Sequence, residues 1–377
     1  MRILFVASGS AATVHALAPL ATAARSSGHE VLMAAHAEAV DAVTGVGLPA
    51  VALTDRPLWE FFTRDRAGGA LTVPDDPGRG GPFAGRAFGR MAAANIGALL
   101  ELARAWRPRV VVGGTMSYAA GLLGARLGVP VVRQAWDISD ARPIHPGADE
   151  ELRPELRALG LDRLPAPDLE IDICPPSLRP AGAPAARSMR WTPGNGQRPL
   201  KPWMYVRGER TRVCLTAGSR ASRGGPEKTY EFLRDMTQAL YALDVELVVA
   251  APDDVASELR AEFPAVRAGW FPLDVVAATL DLVVHHGGGV TMLTAMNAGV
   301  PQLIFPNGPL AVEAAGRLAR HGASRTLLPG GNSAREAAVA AAQLLSDPSC
   351  RQHAGALARE MAGLPRASEL VHAIECL

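Results

Sequence analysis

Val283-Val284-His285-His286-Gly287-Gly288-Gly289-Val290-Thr291, running on through Ala298-Gly299-Val300-Pro301 to Phe305-Pro306, decides the fold. It reads as strand, glycine turn, helix and second strand. The β-branched apolar run 281–284 is broken by three glycines, and 290–297 has helical character. Gly299 stands where a helix C-terminus takes a positive φ, and Pro301 opens an extended segment. Glycines between a strand and a helix N-terminus leave backbone N–H groups unpaired and let a ligand approach closely. The helix dipole adds partial positive charge, so such a turn suits an anion, most often phosphate. A tight turn with incidental glycines is the plainer reading. Three glycines directly after paired histidines, with Thr291 in the first helical turn, argue against it.

The surroundings exclude better-known phosphate loops. No Gly-x-x-x-x-Gly-Lys-Ser/Thr pattern occurs, and Lys201 and Lys228 are the chain's two lysines, which disfavours a P-loop nucleotidase. A dinucleotide fold places its glycine fingerprint in the first βα turn, whereas this motif lies late in the chain. His-Gly-Gly-Gly suits an esterase oxyanion loop, but no Gly-x-Ser-x-Gly elbow supplies a nucleophile.

A chain of 377 residues is too long for one typical core and suits two domains. With 38 basic and 37 acidic residues the net charge is +1, and no basic block supports a nucleic-acid role. No apolar run approaches the ~20 residues a membrane helix needs. Arg2 to Ala7 is apolar like a signal peptide, but Ser8-Gly9-Ser10 ends it too early, so it reads as a buried first strand. Cys174, Cys214, Cys350 and Cys376 lack Cys-x-x-Cys spacing, which argues for reduced thiols and against zinc. The expectation is a cytoplasmic protein with no membrane or nucleic-acid partner.

Residues 2–7, 29–35 and 50–53 read as strands, with helices at about 14–27 and 38–43 between them. This is βαβαβ, an open parallel sheet that takes ligands at the carboxyl ends of its strands. Residues 54–86 break the rhythm with four prolines, six glycines and the aromatics Trp59, Phe61, Phe62 and Phe83. They read either as a functional lid over a flat apolar ligand or as a surface loop with its own small cluster. Helices at about 86–106, 118–127 and 150–159 and strands at 110–112, 129–135 and 169–173 follow. The Pro/Gly/Arg-rich 175–202 reads as the end of the first domain and the linker. A second α/β domain follows, with strands at 212–216 and 246–250. The expected domains are 1–202, 203–361, and a final helix at 362–377 crossing back onto the first.

Two doubly wound domains with the diphosphate turn in the second resemble a GT-B fold glycosyltransferase. The motifs are Gly269-Trp270-Phe271-Pro272-Leu273, His285 to Thr291, Ala298-Gly299-Val300-Pro301-Gln302, and Gly28-His29-Glu30-Val31 after helix one. Together they are similar to the nucleotide-sugar signature of the family-1 enzymes. Met1 to Ala7, Gly113 to Tyr118 and Ile171 to Pro180 are similar to the angucycline olivosyltransferases of the landomycin and urdamycin pathways. The resemblance implies α/β architecture with two Rossmann-like domains facing each other across a cleft. It also implies a dTDP-activated deoxysugar as co-substrate without a further cofactor, and an aromatic polyketide acceptor, with a homodimer left open.

Adjacent on a strand end, His285 and His286 point to opposite faces and do not readily share a metal. His286 is expected to donate to a phosphate oxygen and His285 to be packed. Thr291, Gly288 and Gly289 complete the donor turn, and Ser219 can meet the diphosphate from another strand-to-helix turn. Arg220 either joins it or is a solvated surface residue. Trp270 either flanks the thymine ring, as the family implies, or fills core, with Leu273 closing that motif. Relatives usually carry a catalytic histidine in the first loop. Here that place holds Thr13, with Ser10 before it and His15 on the helix. Many relatives also follow the last strand with an Asp-Gln pair for sugar hydroxyls, where this chain has Leu310-Ala311. Its loss fits a donor poor in hydroxyls.

The remaining base candidate is Asp137, beside Trp136 at the carboxyl end of a strand. An ordinary Asp pKa of ~3.9 is poorly matched to a phenol at ~10, and burial beside an indole narrows that gap. The alternative is an Asp that caps the turn toward Ser139. Acceptor contacts are expected from Ser10, His15, Trp59, Phe62, Phe83 and Trp136. No metal is implied. The expected reaction is inverting transfer of D-olivose from dTDP to an angucycline phenol oxygen. C-attachment, a sugar-nucleotide epimerase and a non-catalytic GT-B auxiliary protein are the rival readings.

Overall fold

The computed structural model describes residues 1–74, 77–218, 225–306, 308–328 and 334–377, with the backbone alone at 77–78 and 225–229. The chain divides into two compact units. The first comprises Met1–Cys174, Arg179–Thr192 and Leu364–Leu377, and the second Pro175–Leu178 and Pro193–Gly363. The units thus change over at Thr192–Pro193, against an expected boundary after 202.

The first unit opens with β1 (Arg2–Val6), α1 (Ala11–Ser26), β2 (Glu30–Ala35), α2 (Ala37–Gly45) and β3 (Ala50–Ala52). Then come α3 (Glu60–Thr63), α4 (Pro77–Trp106), β4 (Val110–Gly114), α5 (Tyr118–Leu127) and β5 (Val131–Gln134). It continues with α6 (His145–Glu151), α7 (Arg153–Ala158), β6 (Leu169–Asp172) and β7 (Arg187–Ser188). The sheet is parallel throughout, in the order β3-β2-β1-β4-β5-β6-β7. Ile3, Leu4, Phe5, Val111 and Val112 are fully buried, as central strands covered on both faces by helices must be.

The second unit carries α8 (Pro202–Tyr205), β8 (Arg212–Thr216), α9 (Gly225–Tyr241), β9 (Glu246–Ala250), α10 (Asp253–Glu262) and β10 (Arg267–Gly269). It continues with α11 (Leu273–Val276), β11 (Leu282–His285), α12 (Gly289–Asn297), β12 (Gln302–Ile304) and α13 (Pro309–His321). It ends with β13 (Ser324–Thr326), α14 (Ala334–Ser346) and α15 (Pro348–Ala362). Its parallel sheet runs β10-β9-β8-β11-β12-β13. The last helix, α16 (Ala367–Glu375), belongs to the first unit, where it packs on α1 and Glu375 meets His29 Nε2 at 2.9 Å. Both units are Rossmann-like. In each, strand order reverses beside the first strand, at β1/β4 and β8/β11, and sheets of this kind take ligands at the carboxyl ends there. No described helix is long and apolar enough to cross a membrane.

The 54–86 segment needs correction. It is not irregular to its end, because α4 starts at Pro77, so Phe83 is helical. The glycines that read as breakers form a notch instead. Gly81, Gly85 and Gly89 recur every four residues, which puts them on one face of the helix. A Cβ on Gly85 would stand 2.0 Å from the Ile144 carbonyl oxygen, and one on Gly147 would stand 2.0 Å from that of Pro82. Backbone therefore lies against backbone where α4 crosses α6. The helix read at 150–159 is two helices, α6 and α7, starting at His145. Helix α1 begins at Ala11 rather than 14, with Ser10 as its N-cap residue.

Candidate active site

In the second unit, β11 delivers the two histidines to opposite fates. His285 is fully buried. Its Nδ1 accepts the Gly287 N–H at 3.1 Å, so its proton sits on Nε2, which donates to Gln302 Oε1 at 2.9 Å. Gln302 Nε2 donates in turn to the Met292 carbonyl of α12 at 3.2 Å. Burial first, and then the neighbouring His286, push His285 down to about 3, so it is a neutral strut. His286 lies against the glycine turns. A Cβ on Gly218, just after β8, would stand 2.1 Å from its Cε1, and one on Gly288 would stand 2.6 Å from its Nε2. A side chain at either place displaces the ring.

Gly218 and Gly287 adopt φ of +68° and +82°, the left-handed region that glycine takes without strain. Gly288 caps α12 with no side-chain bond, so the N–H groups of Gly289, Val290 and Thr291 have no helical partner. Beside the β8/β11 switch point, then, stand an imidazole, bare glycine backbone and an open helix N-terminus. Ser219 and Arg220 lie outside the described residues.

Trp270 is half-buried, and the Arg198 guanidinium lies over its ring at 4.7 Å. Gly196 runs beside the indole. The Asn195 and Gln197 amides donate to Asp274 at 3.2 and 3.0 Å, which pins this segment across the tryptophan. Leu273 packs with Phe271 and Val276 in the core.

In the first unit, the loops after β1 and β4 meet where the Ser8 and Ser117 hydroxyls stand 3.2 Å apart. Thr13, in the place relatives give to histidine, is buried. Its hydroxyl donates to the Ser10 carbonyl at 2.8 Å and the Ser8 carbonyl at 3.2 Å. His15 is half-exposed on α1.

Asp137 follows β5, and its Oδ1 accepts the Ser139 N–H at 2.8 Å, the capping contact that was one of its two readings. Asp137 also lines an open pocket of about 80 Å³ with Thr115, Arg133, Asp140 and His145. Arg133 is paired there with Glu170 at 2.8 Å and Arg142 with Asp140 at 2.6 Å. The indole of Trp136 is buried over Gly114, where a Cβ would stand 2.6 Å from Cε3. It tilts against Phe88 at 6.1 Å, and Phe88 takes Phe62 edge-on at 5.5 Å. Phe83 is buried on α4, while Trp59 is 56% exposed and takes no part in this aromatic run.

The structure thus gathers His286, Gly288, Gly289 and Thr291 at one turn. It joins Phe62 to Trp136 through Phe88, which the sequence reading missed. It also brings in Thr115, Tyr118 and His145. His145 precedes Pro146 at the start of α6, and a histidine before a proline in the first turn was its only signal. Among the described residues, no cluster of three or more His, Cys, Asp or Glu side chains is placed to hold a metal ion.

Residues 86–218 match the family described as erythromycin biosynthesis protein CIII-like, N-terminal domain, and residues 234–377 match its C-terminal domain. The L-demethylnoviosyl transferase of Streptomyces niveus is 33% identical over 81% of this chain and 80% of its own length. The Streptomyces sp. SF2575 glycosyltransferase SsfS6, solved with thymidine diphosphate, is 34% identical, covers 100% of both chains, and superposes with a TM-score of 0.88. The spinosyn rhamnosyltransferase SpnG, solved with spinosyn aglycone, is 29% identical over 100% of both chains, with a TM-score of 0.85. The chain belongs to the erythromycin biosynthesis protein CIII-like family of antibiotic-pathway GT-B glycosyltransferases, and it is a nucleotide-sugar-dependent transferase.

Proposed function

We propose that this enzyme moves a 2,6-dideoxyhexose, D-olivose, from its dTDP donor to a phenol oxygen of an angucycline-type aromatic polyketide, with inversion. The observation that carries the donor half is the His286 ring set between Gly218 and Gly288 at the open N-terminus of α12. Backbone N–H groups, helix dipole and imidazole there suit the two phosphates of a nucleoside diphosphate. The bound thymidine diphosphate of SsfS6 supports thymidine as the nucleoside.

The acceptor half rests on Asp137 and the aromatic run Phe62–Phe88–Trp136. Asp137 takes the phenol proton as the oxygen bonds to the anomeric carbon, and the electron pair of the breaking C–O bond leaves on the dTDP β-phosphate. Preorganised donors at the glycine turn take up that charge. Olivose and the angucycline class are finer assignments, supported by the sequence resemblance. Mass spectrometry of products from a panel of dTDP-deoxysugars and aglycones tests the reading. A glycoside from a dTDP-deoxysugar and an aromatic phenol is expected. Turnover of the nucleotide sugar without any aglycone product would overturn the reading.

A further inference from the structure

Asp137 shares its pocket with a second proton-carrying group that the reaction above leaves unused. His145 opens α6, and the glycine notch of α4 fixes where α6 sits. His145 lines the pocket. Its Nδ1 lies 3.0 Å from the Tyr118 hydroxyl, and the two rings meet edge to face with centroids 5.8 Å apart. Tyr118 is 6% exposed, and among the described residues its hydroxyl has no other partner.

That isolation settles the tautomer. A buried hydroxyl that accepted from Nδ1–H would leave its own hydrogen unpaired, which is costly. Tyr118 therefore donates to Nδ1, and the imidazole proton sits on Nε2. Burial first, and then the charge of Arg133, push His145 below the ordinary histidine value, against weaker upward pulls from Asp149 and Asp140. The ring is neutral and carries one N–H. Nε2 is the ring nitrogen with no protein partner among the described residues, in a pocket whose arginines are already paired with carboxylates.

We propose that His145 Nε2–H donates a hydrogen bond to a negatively polarised oxygen of the aromatic acceptor, a carbonyl or the ionising phenol itself, with Tyr118 as the positioning residue that holds the tautomer. This rests on the proposed function and adds an acceptor contact to it. As Asp137 removes the phenol proton, negative charge grows on the ring oxygens, and a fixed N–H beside them strengthens its bond as the transition state forms. The acceptor class follows from this: a phenol with an oxygen substituent on the same or the adjacent ring, able to meet donor and base together.

A pair of substitutions separates this role from a structural one. The amide nitrogen of His145→Gln reaches the place of Nε2 but gives up Tyr118. His145→Asn keeps an oxygen for Tyr118 but presents no donor where Nε2 stood. Steady-state transfer from a dTDP-2,6-dideoxyhexose to a hydroxyanthraquinone is followed for both, with dTDP affinity and the thermal midpoint measured in parallel. The acceptor KM, or kcat/KM, should worsen about threefold to tenfold in His145→Asn and in His145→Ala. It should stay within about twofold of wild type in His145→Gln, with dTDP affinity unchanged in all three. His145→Asn matching wild type while His145→Gln fails would overturn the proposal, because the Tyr118 bond alone would then matter. Equal losses in both, or loss of dTDP affinity, would also overturn it. A wild-type enzyme that glycosylates no phenol sinks the functional reading itself, a different and separately visible failure.

Discussion

Replacing Gly218 by Ala puts the donor turn under a controlled collision. Two effects follow, and the structure separates them. The residue sits at φ +68°, where an alanine costs about 1–2 kcal/mol of backbone strain. Its Cβ would also stand 2.1 Å from His286 Cε1 and 2.8 Å from Nδ1, so the ring must swing away. A charge-assisted imidazole–phosphate bond is worth ~1.5–3 kcal/mol, so its loss should weaken dTDP about 10- to 150-fold.

Gly128 is the control. It has φ +65° with nothing within 4 Å of an added Cβ, so Gly128→Ala carries the strain without the collision. Titration calorimetry with dTDP should find wild-type affinity in Gly128→Ala and the large loss in Gly218→Ala, while the thermal midpoint falls in both. In a His286→Ala background, Gly218→Ala should cost almost no further affinity, because the ring it displaces is gone. Gly218→Ala binding dTDP within twofold of wild type would refute the placement of His286 on the diphosphate.

Other perturbations probe the base, the α4–α6 crossing and the buried histidines. Asp137→Asn should lower kcat ~10²–10⁴-fold while leaving dTDP affinity intact, and a more acidic phenol should recover part of the loss; near-normal kcat in Asp137→Asn with loss in His15→Ala would move the base to His15. Gly85→Ala should destabilise by about 1–3 kcal/mol, since the added Cβ meets the Ile144 carbonyl at 2.0 Å and overpacking outweighs the ~1 kcal/mol that alanine gains over glycine in a helix; a raised urea midpoint would show that α4 and α6 do not touch there. Native His36 and His285 are held by burial at about 4 and about 3, against an ordinary 6.5 when unfolded. Unfolding below pH 6.5 therefore takes up protons, so their contribution to stability is full above 6.5 and falls as the pH drops, by about 1.4 kcal/mol per unit and group. Urea unfolding from pH 6.5 to 4.5 should show that slope, flattened in His36→Gln, and a pH-independent midpoint would contradict it.

The parallel sheets were legible because buried strands such as Arg2–Val6 and Leu282–His285 hold short β-branched or aromatic apolar runs with a glycine turn close behind, too short for a buried helix. The glycine turn between β11 and α12 was legible as structure for a related reason, since strand, glycines and helix follow in one contiguous stretch. The notch of α4 was not. Glycine marks a turn and a close helix crossing alike, and only the partner, α6, tells them apart. β13, just Ser324–Thr326, has no apolar pattern of its own and is a strand only because β12 lies beside it. The pocket around Asp137 was half legible. A carboxylate after a strand is visible in sequence, whereas His145 comes to the pocket from α6 and is held there by Tyr118 of α5.

The proposed transfer is a single displacement at the anomeric carbon, with an acceptor phenol as nucleophile and dTDP as the leaving group. Proton NMR of the glycoside formed from a dTDP-α-2,6-dideoxyhexose tests it most directly, through the coupling of the anomeric proton. Inversion should give a β-glycoside of the aromatic acceptor, formed by the wild type and scarcely by Asp137→Asn. An α-glycoside, or a sugar altered with no acceptor attached, would contradict it.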